Sequence, residues 1–173
     1  MRKFLRAWVK EQKATTAIEF SLLMIPYLFI SLAIIELSIM YAGATLLEGA
    51  TGSAARMIRT GQIQQSGVDP ESAFRDELCR YATVIVVCDD IDIEIMPMDS
   101  FGDFAGPSFD ADGNFVPQGV DTGGSNDRML IRVAYRYSMM TPLIGPLLAG
   151  PDNSHLFLST IVLQTEPYEF GGT

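Results

Sequence analysis

The sequence predicts an α+β protein: one long apolar amino-terminal helix packed at its outer half against a small antiparallel sheet. Three observations predict it. From Ala17 to Leu47 only Glu19 and Glu36 carry charge, the composition of a helix that crosses a membrane. In "DDIDIEIMPM" Ile91, Ile93 and Ile95 alternate with Asp92 and Glu94, the two-residue period of a half-buried strand with its polar face outward. "RMLIRVAYRYSMM" and "HLFLSTIVLQTEPY" are two further β-rich runs, interrupted by the two prolines of "TPLIGPLLAG". A sheet of three or four strands follows, laid on the long helix.

The amino terminus sets the orientation. Met1 to Ala14 carries Arg2, Lys3, Arg6, Lys10 and Lys13 against Glu11, a charge of +4, whereas the whole chain of 173 residues carries −9. A basic segment ahead of an apolar run stays on the cytoplasmic side, so residues 1–14 read as a cytoplasmic leader and the acidic remainder crosses. The chain is therefore expected to be a single-pass membrane protein with an exported carboxy-terminal domain and lipid as its neighbour. A cleaved secretory signal fits less well, because its apolar core is shorter, about 7 to 15 residues.

The helix is expected over residues 15–60. The uncharged run from Phe20 to Ile35 covers only about 24 Å at 1.5 Å per residue, so a ~30 Å hydrocarbon core requires more. Extension through Met40 to Leu47 supplies it. Pro26 removes one helical hydrogen bond and bends the span, a change that membrane helices tolerate. The small residues from Gly43 to Ala55 let another helix approach closely. Arg56 and Arg59 mark the exit into water, and "TGQIQQSGVDP" ends the helix in turn-forming residues.

Residues 61–173 form the exported α+β domain. Pro70 to Tyr81 reads as a helix with Asp69 as its N-cap and Phe74, Leu78 and Tyr81 at apolar spacing. Ser100 to Asp127 shows no sustained period and reads as a long exposed loop. Beyond Gly61 the basic residues are Arg75, Arg80, Arg128, Arg132 and Arg136. Such a domain lacks the clustered positive charge that nucleic acid requires, so nucleic acid is not expected as a partner.

Cys79 and Cys88 fall in the exported part, where an oxidising compartment lets thiols pair. Nine residues apart, they would stand about 13 Å apart along a continuous helix, so a bond requires the chain to reverse between them. The other reading is two separately buried thiols. The single histidine, His155, has no nucleophile and acid arrayed around it, and no phosphate-cradling glycine loop is present, so the sequence points away from an enzyme and from a cofactor. In "DADGNFVPQGVD" Asp110, Asp112, Asn114 and Asp121 match part of a calcium-loop spacing, but Phe115 stands where glycine is expected and Asp121 where a bidentate glutamate closes the shell. The competing reading is a solvated acidic turn.

"ATTAIEFSLLMIPYLFISLAIIEL" resembles the amino-terminal segment of TadE-like proteins, the pilin-like subunits of tight-adherence (Flp-type) pilus systems. The shared features are a short basic leader, an "AIEF" core, an early proline and a second glutamate near the end of the apolar run. "AARMIRTGQ", a cysteine pair before an alternating strand, and "YRYSMMTPLIGPLLA" extend the resemblance over nearly the whole chain. It implies a pilin-like fold and processing by a prepilin peptidase between Ala14 and Thr15, which would place Glu19 fifth and Phe20 sixth in the mature chain. Ala14 stands where the family carries glycine. The resemblance further implies a minor pilin or pseudopilin that acts in pilus assembly or priming and in surface attachment. Its partners would be other pilin-like subunits and the assembly machinery, and Glu19, Pro26 and Glu36 would contact partner helices. In such an assembly the Glu19 carboxylate would pair with the new α-amino group of a neighbouring subunit. Glu36 reads either as the outer boundary of the span or as such a contact. The alternative is an unprocessed inner-membrane scaffold that recruits assembly partners.

Overall fold

A computed structural model describes residues 12–82 and 85–168. Helix α1 runs unbroken over Gln12–Arg59, through Pro26. A short α2 (Gln62–Gln65), α3 (Pro70–Ala82) and a 3-10 turn (Cys88–Asp90) lead into β1 (Ile91–Met98). Then come β2 (Arg128–Ser138), α4 (Gly145–Ala149) and β3 (Ser154–Gln164). The class is α+β, with a three-stranded antiparallel sheet in the order β1-β2-β3. The register sets Ile93 opposite Val133 and Val133 opposite Ser159.

The end of α1 and the start of α3 each have a specific cause. Gly61 stops α1 in the left-handed region at φ 73°, and a Cβ there would meet the Tyr168 ring at 2.8 Å, so both conformation and space require glycine. The final turn of α1 is closed by the carboxy-terminal segment, where the Glu166 N–H donates to the Arg59 carbonyl at 2.8 Å. An ion pair of 3.0 Å joins the side chains of the same two residues. Before α3 the Asp69 carboxylate accepts from the Ser72 N–H at 2.9 Å and the Ser72 hydroxyl at 2.8 Å. These bonds hold its pKa below the usual carboxylate value.

One buried cluster joins Leu47, Ala50, Ala54, Ala55 and Ile58 of α1 to Phe74 and Leu78 of α3 and to the odd-numbered residues of β1 and β2. The small residues of α1 do admit a neighbouring helix, and that helix is α3 of the same chain. Leu47, which the sequence assigns to the membrane span, belongs instead to this core, because the domain covers it. Among the described residues the first buried position along α1 is Glu36. The bare apolar length with no buried position is therefore Thr16 to Ile35, twenty residues or about 30 Å, which begins before Phe20; beyond Glu36 the domain covers part of the helix while Leu37 and Tyr41 stay exposed.

The second face of the sheet departs from expectation. Glu94 does not face water: it is 0% exposed and forms a 2.8 Å ion pair with Arg132, itself 1% exposed, directly opposite on β2. Asp92 keeps the outward position. The reason is the segment 99–127, which is not a free loop. It folds over this face, burying Phe115 and joining β1 through a bridge from Val120 to Ile95. Three arginines spaced four apart on β2 hold it down. Arg128 donates to the Asp99 carbonyl at 2.8 Å, Arg132 to the Ala105 carbonyl, and Arg136 to the Gly113 carbonyl at 2.8 Å. Residues four apart on a strand share a face, so the three guanidinium groups form one row beneath the strap. The Arg128 and Arg132 guanidinium groups also lie over the Phe101 and Phe104 rings, at 5.6 and 5.3 Å.

Candidate functional site: the bare helix and its junction with the domain

The long helix divides into two environments. From Thr16 to Ile35 its side chains are exposed or partly exposed, although the segment is strongly apolar. It is long and apolar enough to span a membrane, consistent with a single-pass insertion. Glu19, Phe20 and Pro26 all lie on this bare half, and Glu19 and Phe20 are exposed. Ala14 and Thr15 fall within the helical backbone of α1. The leader residues 1–11 lie outside the described residues.

Glu36 is where the bare half meets the domain. Its side chain is 2% exposed, and its carboxylate receives three donors from the segment at and after the end of β2. The Met140 N–H donates to Oε1 at 2.8 Å, the Tyr137 hydroxyl to Oε1 at 3.4 Å, and the Thr141 hydroxyl to Oε2 at 2.6 Å. A buried carboxylate persists only when such donors replace its water. Glu36 is thus engaged within its own chain, at the point where the bare half of α1 gives way to the domain. The Tyr137 phenol is pushed above its ordinary pKa, first by burial and then by the adjacent Glu36 carboxylate.

Cys79 and Cys88 form a disulfide with Cα atoms 5.9 Å apart. The reversal that this bond requires is present. Helix α3 stops at Ala82, and the N–H groups of Ile85 and Val86 both donate to the Ala82 carbonyl, at 3.3 and 3.1 Å. Arg75 fixes the returning chain by donating to the carbonyls of Cys88 and Ile91, at 2.9 and 2.8 Å. Replacing both cysteines by serine is expected to cost about 2–3 kcal/mol, the chain-entropy value for a loop of this length. Guanidinium unfolding of the double variant beside the parent measures it.

The acidic turn is organised by its own backbone. Asp110 Oδ1 accepts from the N–H groups of Asp112 and Asn114, at 3.0 and 2.7 Å, and Oδ2 accepts from the Asn114 amide at 2.9 Å. Those bonds lower the Asp110 pKa, the Asn114 side chain contributing most. Asp121 turns away to the Gly123 N–H at 2.9 Å. Among the described residues no group of three or more acidic, histidine or cysteine side chains is placed to hold a metal. His155 sets its ring edge-on to Phe157, at 5.8 Å between centroids.

The Glu36 clamp and the arginine row are what sequence reasoning missed. A signal for the second was present in the four-residue spacing of Arg128, Arg132 and Arg136. Glu36 gave no comparable signal, since its partners lie more than a hundred positions away. Set against protein-family models, curated proteins and solved structures, the chain matches none of them.

Proposed function

We propose that this protein is a non-enzymatic minor pilin or pseudopilin of a tight-adherence pilus, anchored in the bacterial inner membrane with its α+β domain on the periplasmic side. The observation that carries the reading is the division of α1: a bare apolar half of membrane-spanning length continues without a break into a half embedded in the domain core. Such a helix serves two environments in turn. In a bilayer the bare half faces lipid; in a filament the same surface packs against the helices of other subunits, so no refolding separates the two states. In this reading the outer half of α1 packs against the sheet in the pilin-like manner.

Glu19 supports the same reading. An exposed carboxylate near the start of a bare apolar helix is costly in hydrocarbon and favourable beside an amino group or the positive end of a helix. Cleavage between Ala14 and Thr15 would create that amino group on each subunit, four residues ahead of its own Glu19 and free to pair with the Glu19 carboxylate of a neighbour. Intact mass and amino-terminal sequencing of the protein from its native host test the processing: the expected chain starts at Thr15. Deletion is expected to abolish piliation and surface attachment. A full-length chain from Met1, together with unchanged piliation in the deletion strain, overturns the proposal. A full-length chain with piliation lost selects the unprocessed scaffold instead.

A further inference from the structure

The segment between β2 and β3 carries apolar side chains that neither the fold nor the proposed assembly uses. Met140, Leu143 and Leu147 are 69, 76 and 72% exposed, and Leu148 is also exposed. Ser138 through Pro151 contains no charged residue, in a chain with 33 ionised side chains by composition, 12 basic and 21 acidic. Exposed apolar side chains gathered on one uncharged tip mark an interaction surface.

The tip is built rather than loose. The Met139 N–H donates to the Asn153 carbonyl at 2.9 Å and the Asn153 amide to the Met139 carbonyl at 3.0 Å, closing its base. The Gly145 N–H donates to the Thr141 carbonyl at 2.9 Å. Gly145 is buried against Asn153 with no room for a Cβ.

Its position along α1 is fixed by Glu36. The carboxylate binds the Met140 N–H and the Thr141 hydroxyl, so the tip sits at the level where the bare apolar length of α1 ends. If Thr16 to Ile35 fills the hydrocarbon core, that level is the outer boundary of the bilayer. We propose that the β2–β3 tip, through Met140, Leu143, Leu147 and Leu148, is a lipid-facing foot that dips into the outer interface of the bilayer that α1 spans. It rests on α1 crossing the membrane. The surface lacks charge, and its exposed leucines gain free energy in an acyl environment as in other interfacial segments. Leaving the membrane for a filament would then require the foot to exchange lipid for another covering.

Full-length protein in vesicles of phosphatidylethanolamine and phosphatidylglycerol tests this with single introduced cysteines carrying an NBD fluorophore, Cys79 and Cys88 being bonded to each other. Leu147→Cys and Leu143→Cys report the foot, Leu28→Cys the span and Val68→Cys water. The expected result is iodide quenching roughly threefold weaker at the foot than at Val68→Cys, with quenching of the foot by lipids labelled near the headgroup, as shallow burial requires. Foot labels quenched by iodide like Val68→Cys, while Leu28→Cys stays lipid-quenched, overturn the foot and leave the span. Leu28→Cys in water as well overturns both. Protection of the foot that lacks lipid quenching and grows with protein density overturns lipid in favour of a second copy.

Discussion

Arg132→Ala is expected to destabilise the domain by about 3–5 kcal/mol, because it strands Glu94 as an uncompensated charge at a fully buried position. The pair is 2.8 Å long and neither side chain retains measurable contact with water. The loss extends past the pair. Arg132 also donates to the Ala105 carbonyl and lies over the Phe104 ring, so its removal frees the 99–127 strap around Ala105, while Arg128 and Arg136 still hold it at Asp99 and Gly113. Guanidinium unfolding of the full chain in detergent, followed by near-ultraviolet circular dichroism, measures the change. The double variant Glu94→Leu/Arg132→Met is expected to recover most of it, since replacing a buried pair by apolar side chains of similar volume is often close to neutral. A loss below about 1 kcal/mol in Arg132→Ala would match an exposed pair and contradict the burial described here.

Glu36→Ala is expected to cost on the order of 3 kcal/mol, as the Met140 N–H and the hydroxyls of Tyr137 and Thr141 lose their shared acceptor. Its signature is regional. Amide exchange should accelerate at Met140 and through the segment to Asn153, while Ile131 and Val133 in the centre of the sheet keep their protection. Glu36→Gln, which keeps an acceptor oxygen and the packing volume, is expected to fall between the parent and Glu36→Ala. Uniform acceleration across the sheet in Glu36→Ala would show that the clamp supports the whole domain rather than fixing the tip to the helix.

The outline of this fold was legible in the sequence because its signals are local. The apolar length of α1, the Asp69-Pro70 start of α3 and the alternation in β1 each depend on residues a few positions apart. What escaped was set by distant partners. The pattern in β1 gives Asp92 and Glu94 the same outward role, yet only Asp92 has it, because segment 99–127 covers Glu94 and Arg132 meets it. Glu36 escaped for the same reason: composition shows a charge near the end of an apolar run, and only the chain's return after β2 shows what receives it. In the acidic turn, spacing matched a cation loop in part, while the donors bound by Asp110 come from its own backbone and Asn114.

The embedded half of α1 also determines how the protein bears force. From Glu36 to Arg59 the helix is held over 24 residues, about 36 Å, by the Glu36 clamp at one end, the buried cluster along its length and Glu166 at the other. A pull along the helix axis therefore loads these contacts together, in shear, instead of peeling them one at a time. Traction on the bare half would reach the domain as a whole, and the helix could be drawn out of a bilayer with its domain still folded around it.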